Sequence, residues 1–201
     1  MRYLLAAVFI FLHGLALAAS HPAGALDEIN AAIENANVGN FESAVDLDAL
    51  LDDALGTFLR EVKNPEMANT LPPLLSLMFS QAGAANGETL RGLLKGEVKS
   101  FVLNGVSSGA FAGRRQASAN TRGMLAPLFA DVSFGAKKIT AKGQSTPTTD
   151  GWLTPFTLHD AGNGNDYDIT GEFRRESDGR VRLARIQNLP ALMRRLASES
   201  R

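Results

Sequence analysis

The sequence predicts an α+β fold, with N-terminal helices packed on a curved antiparallel sheet of about four strands and a C-terminal helix. Three observations carry that prediction. Apolar residues recur at helical spacing through the first half of the chain, the period changes to two from Asp131 onward, and a final helical stripe runs from Leu189 to Ala197. Helices followed by a meander of strands is the pattern of a sheet with its helices on one face.

The first stripe joins Leu26, Ile29, Ala32, Ile33 and Ala36, with Asp27 and Glu28 near its start where they favour the helix dipole. Asn37 to Asn40 breaks it. From Phe41 to Val62 the strongest periodicity is Leu47, Leu50, Leu51, Ala54, Leu55, Phe58, Leu59 and Val62, with Asp46 placed to cap. Asn64-Pro65 predicts the start of a third helix, interrupted at Pro72-Pro73 and continued by Leu74 to Phe79. A fourth opens at Asn86-Gly87-Glu88, aligns Leu90, Leu93, Leu94, Val98, Phe101 and Val102, and is expected to close at Asn104-Gly105. The Gly-, Ser- and Ala-rich stretch Val106 to Thr121 reads as a mobile loop, with a short helix from Thr121 to Phe129 after it.

In the second half, Val132, Phe134, Ile139 and Ala141 suggest a first strand or pair of strands. Trp152 to His159 and Tyr167 to Arg175 suggest two more. Ser177-Asp178-Gly179 supplies a tight turn before Val181 and Leu183, and Ile186 breaks the alternation, which predicts a bulge near Ala184-Arg185 or an end to pairing there.

Residues 1–18 have the make-up of a cleavable export signal: Arg2, an apolar run from Tyr3 to Leu17, then small residues. The Ala16, Ala18 pair favours cleavage after Ala18 over cleavage after Ser20. An uncleaved anchor needs roughly 17–25 apolar residues, and this run is at the short limit and contains His13. The expected product is periplasmic or secreted, not an integral membrane protein after processing, with residues 26–198 as one α+β domain. The chain has no cysteine, which excludes disulfides, a redox pair and a thiolate metal site. With 20 Lys and Arg against 21 Asp and Glu, no nucleic-acid partner is expected. Charge is nevertheless segregated, with ten acidic residues between Leu26 and Glu66 and eight arginines between Gly171 and Arg201. An acidic helical face against a basic sheet edge explains this, and an exposed arginine strip for an anionic partner is the sharper alternative.

The order of elements resembles the nuclear transport factor 2-like superfamily, in which a curved sheet wraps round N-terminal helices to form a cone. The residues that carry the resemblance are Ala44-Val45-Asp46-Leu47-Asp48-Ala49-Leu50 and the closing unit Phe173 to Leu192. The piece Phe129 to Ile139 is similar to exported bacterial proteins of unknown function with that layout, and more weakly to periplasmic phospholipid-shuttle proteins. The chain departs from the usual pattern in the long linker Val106 to Thr121 and in Arg180, where many relatives have tryptophan. The resemblance implies a pocket and carries over no catalytic residue.

No G-x-S-x-G, H-E-x-x-H or phosphate-loop pattern occurs. His159 is the one histidine outside the first 21 residues, and with Asp160, Asp166 or Asp168 it suggests a base acting on a small molecule. Adjacent strand residues point to opposite faces, which separates His159 from Asp160. Asp160 to Asp168 invites a calcium reading, but Gly162 and Gly164 stand where carboxylates are needed, so a hairpin turn is favoured and neither metal nor cofactor is expected. Trp152 and Phe156 share a strand face, and Tyr167 and Phe173 can join them across the sheet. With Phe101 from the fourth helix they are the expected ligand-binding residues of the cone. The expected function is an exported non-enzymatic module that binds a small apolar or amphipathic, lipid-like ligand. The alternatives are an enzyme using His159, and a cell-envelope adaptor that docks a partner protein through its arginine-rich end.

Overall fold

The computed structural model of the chain describes residues 20–64, 87–114 and 135–199. Helix α1 (Pro22–Glu34) begins four residues earlier than its apolar stripe suggests, because Pro22 occupies the first turn and His21 Nδ1 accepts from the Ala23 N–H. Helices α2 (Val38–Ala44) and α3 (Leu47–Glu61) divide the second segment between them, and each opens on a side-chain cap: Asn37 Oδ1 accepts from the Asn40 N–H and Asp46 Oδ1 from the Ala49 N–H. Helix α4 (Gly87–Ser107) runs past the expected stop at Asn104-Gly105. Gly105 is there for packing, since a Cβ would lie 2.3 Å from the Phe111 ring. The supposed loop is correspondingly ordered as far as Arg114, with turn bonds such as Phe111 N–H to Gly105 carbonyl, and Ala110 is buried.

Five antiparallel strands follow: β1 (Lys137–Ala141), β2 (Thr146–Pro147), β3 (Gly151–Asp160), β4 (Asn165–Arg175) and β5 (Val181–Ile186). Their order is β1-β3-β4-β5, with β2 beside the start of β3. The sheet is curved, helices pack on one side of it, and α5 (Leu189–Glu199) closes the described chain. The architecture is therefore the expected α+β one, with the two-residue β2 in addition. The bulge also falls where the broken alternation placed it: Glu172 pairs with Arg185 and Phe173 with Leu183, which leaves Ala184 over.

The core lies between α1 and the helix-facing side of the sheet. Leu26, Ile29, Ala32 and Ile33 meet Phe156, Phe173, Val181 and Leu183, all buried, with Phe41, Leu47 and Leu51 joining from α2 and α3. Full burial of side chains this size contributes about 1.5–3 kcal/mol each. Helix α3 also leans on β5 through ions, Arg185 Nε to Asp53 at 3.0 Å, and on α5 through Arg194 to Glu61 at 3.1 Å. The acidic helical face does meet the basic sheet edge.

The edges of the sheet are closed by side chains. Asn30 on α1 donates Nδ2–H to the Ile139 carbonyl at 2.7 Å and accepts the Ile139 N–H at 2.8 Å, so its amide pairs with β1 as a strand residue would. Where β5 stops, the Asn188 side chain accepts the Thr170 N–H at 2.9 Å and donates to the Asp168 carbonyl at 2.8 Å, continuing the ladder along β4. On the far side of β5 the Asp46 N–H donates to Leu183, and Arg182 donates to the carbonyls of Glu42 and Val45. Unpaired strand edges invite pairing with other chains, and these contacts blunt them.

The predicted export signal, the third predicted helix, the predicted short helix from Thr121, Val132, Phe134 and the remainder of the predicted loop lie outside the described residues. Among the described residues no helix is long and apolar enough to cross a membrane.

Candidate functional site

Residues 152, 156, 167 and 173 do share the helix-facing side of the sheet, because Trp152 pairs with Phe173, Phe156 with Ile169 and Leu158 with Tyr167. They do not share one environment. Phe156 and Phe173 are 2 % and 0 % exposed and stack edge to face at 6.4 Å, as part of the core. Tyr167 is buried at the other end of β4, where its hydroxyl accepts from Asn163 at 2.8 Å and the Arg195 guanidinium lies 4.9 Å from its ring centroid. Phe101 is on α4, half-buried and edge-on to Phe111 at 6.1 Å.

Trp152 reaches an opening. It is half-buried, and its ring is contacted by the His21 ring at 6.0 Å and by the Arg175 guanidinium at 5.2 Å. Arg175 follows Phe173 by two residues, so both take the same face, and Phe173 is the cross-strand partner of Trp152. Register alone thus brings Arg175 beside the indole. The stretch 147–151 turns back between β2 and β3, with the Thr148 N–H donating to the Gly151 carbonyl at 2.9 Å. At Gly151 a Cβ would stand 1.9 Å from the Phe173 carbonyl oxygen, so the turn approaches β4 as only glycine allows. Turn, Trp152, Arg174 and Arg175 enclose an open cleft of about 560 Å³.

His159 lies on the opposite, outward face. Its Nδ1–H donates to Asp166, its cross-strand neighbour, at 2.6 Å, while Asp160 turns inward, buried, to Lys137 at 2.5 Å and to the Gly162 N–H. The sequence suggested three carboxylates for His159, and the pleat selects Asp166. The pair is exposed, at 48 % and 66 % of the two side chains, on an open strand surface. Thr157, on the same face, donates its hydroxyl to Asp168. Asp168 is held below the usual carboxylate range, first by Lys142 and then by that hydroxyl.

The hairpin between β3 and β4 uses its oxygens internally: Asp160 accepts from Gly162 and Asn163 accepts from the Asn165 N–H. Among the described residues no group of three or more His, Asp or Glu side chains is placed to hold a metal ion. Five of the C-terminal arginines, Arg174, Arg180, Arg182, Arg185 and Arg194, lie beside carboxylates, so the arginine-rich region is largely neutralised within the fold. No family model matches the chain, and no curated protein or solved structure does.

Proposed function

We propose that the protein is an exported, non-enzymatic binding module and that a small amphipathic molecule occupies the cleft at Trp152. The signal-like sequence pattern of residues 1–18 supports the location, and the cleft supports the activity. The observation that carries the reading is the placement of Trp152, half-buried between core and cleft, with polar walls formed by the 147–151 turn, Arg174 and Arg175. One face of such a site prefers apolar surface and the rim prefers a polar group, which is how small-molecule sites fix orientation. The aromatic residues farther along the sheet then act as the platform behind Trp152, and Phe156 and Phe173 hold it in place.

Because the chain has one tryptophan, its emission reports on this cleft. Titration of the processed protein with medium-chain amphiphiles is expected to change that emission saturably, and Trp152→Phe is expected to abolish the signal and weaken binding measured calorimetrically. Saturable binding that Trp152→Phe leaves untouched would place the ligand elsewhere.

A further inference from the structure

Arg175 differs from its neighbours in what surrounds its charge. Arg174 Nη2 is 2.7 Å from Glu172, Arg180 2.7 Å from Asp178, Arg185 3.0 Å from Asp53 and Arg194 3.1 Å from Glu61. Arg175 has the Trp152 ring and, at 3.4 Å, the Ser20 carbonyl, and no carboxylate among the described residues. A guanidinium laid on an indole keeps donors free at its edge, and its planar fork matches a carboxylate bidentately. The other charges lining the cleft are Arg174, already matched by Glu172, and Asp150 on the 147–151 turn. Among the described residues Arg175 is thus the cleft cation without a carboxylate at ion-pair distance, while Asp150 brings the lining close to neutral overall and opposes a second negative charge on a guest.

Resting on the reading that this cleft takes an amphipathic guest, we infer that the guest is an amphipathic monocarboxylate. Its carboxylate is held by Arg175, and its apolar body lies along Trp152 and the turn. The mode of selection is charge matching at the rim, and apolar contact supplies the rest of the affinity.

The probes are four amphiphiles with ten-carbon chains, below their micellar concentrations: decanoate, decanol, decyl phosphate and decyltrimethylammonium. Each is titrated into wild-type protein and into the variants Arg175→Ala, Arg175→Lys and Arg180→Ala, with Trp152 emission and calorimetry as readouts. Decanoate is expected to bind roughly tenfold tighter than decanol, the size of a charge-assisted contact reduced by solvent. Arg175→Ala is expected to erase that preference, Arg175→Lys to keep part of it, and Arg180→Ala to keep all of it, with melting temperatures showing each variant folded. Equal binding of decanoate and decanol, or tighter binding of decyl phosphate or of the cation, would overturn the monocarboxylate assignment while leaving the cleft intact. If none of the four changes the emission or the calorimetric trace, the cleft reading fails and this inference fails with it.

Discussion

Asn30 and Ile139, 109 residues apart, are joined by two hydrogen bonds that use both polar ends of one side-chain amide and both backbone groups of one strand residue. The contact pins α1 across the sheet and satisfies the free edge of β1. A buried backbone group left unpaired costs about 1–3 kcal/mol. Asn30→Ala is therefore expected to lower unfolding free energy by roughly 2 kcal/mol in urea titration, with more aggregation as the β1 edge opens. Asn30→Asp retains the acceptor alone and is expected to fall between Ala and wild type.

Lys137 and Asp160 form the least exposed of the described ion pairs, with side chains 12 % and 11 % exposed. Removing one member strands the other charge, so Asp160→Ala is expected to cost about 3 kcal/mol. The double variant Lys137→Met, Asp160→Leu is expected to be more stable than the sum of the singles predicts. A double-mutant cycle with additive costs would contradict this.

The α3–α4 contact should register in acid and in alkali. Asp48 is held below the usual carboxylate range first by the hydrogen bond from Lys99 and then by that from Lys95, while Lys95 is raised, chiefly by Asp52. A lowered carboxylate contributes stability above its unfolded pKa and loses it as pH falls through the folded value, below about pH 4. A raised lysine contributes below its unfolded pKa and loses it as pH rises beyond about 10.4. Asp48 is 60 % exposed, so Asp48→Asn is expected to remove only about 0.5 kcal/mol near neutrality. The difference from wild type should shrink in acid and in 1 M salt. Denaturant midpoints across pH check this.

Gly151 sets the depth of the cleft. Gly151→Ala puts a methyl where the Phe173 carbonyl stands, so the 147–151 turn must move away from β4. Amphiphile binding should weaken severalfold, and the free energy of unfolding should fall by about 1–3 kcal/mol. Unchanged binding would mean that the turn does not form a wall of the site.

The fold was legible where burial is one-sided. The stripe Leu26, Ile29, Ala32, Ile33 and the alternation Tyr167, Ile169, Gly171, Phe173 each expose a face to water, and periodicity reports that asymmetry. The misfit of Ile186 gave the bulge, because one extra residue inverts every later side chain. Helix α1 started early and α4 ended late because the deciding contacts, His21 to Ala23 and Phe111 over Gly105, are made by a side chain outside the periodic stripe or by a residue from the supposed loop. The candidate site was half legible. Period two put Trp152 and Phe173 on the right face, but that Phe173 is sealed in the core while Trp152 meets an opening depends on where β4 ends and how 147–151 turns. Arg175 was within reach of the same register argument, two residues beyond Phe173. The edge-closing roles of Asn30 and Asn188 were not, since a single polar residue on a helix or in a turn leaves no periodic trace.

The most direct test of the account is the position of a bound amphiphile, read by NMR. One tryptophan gives one indole N–H resonance, and decanoate is expected to shift it together with the Arg175 Nε–H and the amides of residues 148–151. Resonances of Phe156 and Leu183 should stay in place. Shifts concentrated on those core residues, with the indole unmoved, would put the guest inside the fold and contradict the cleft.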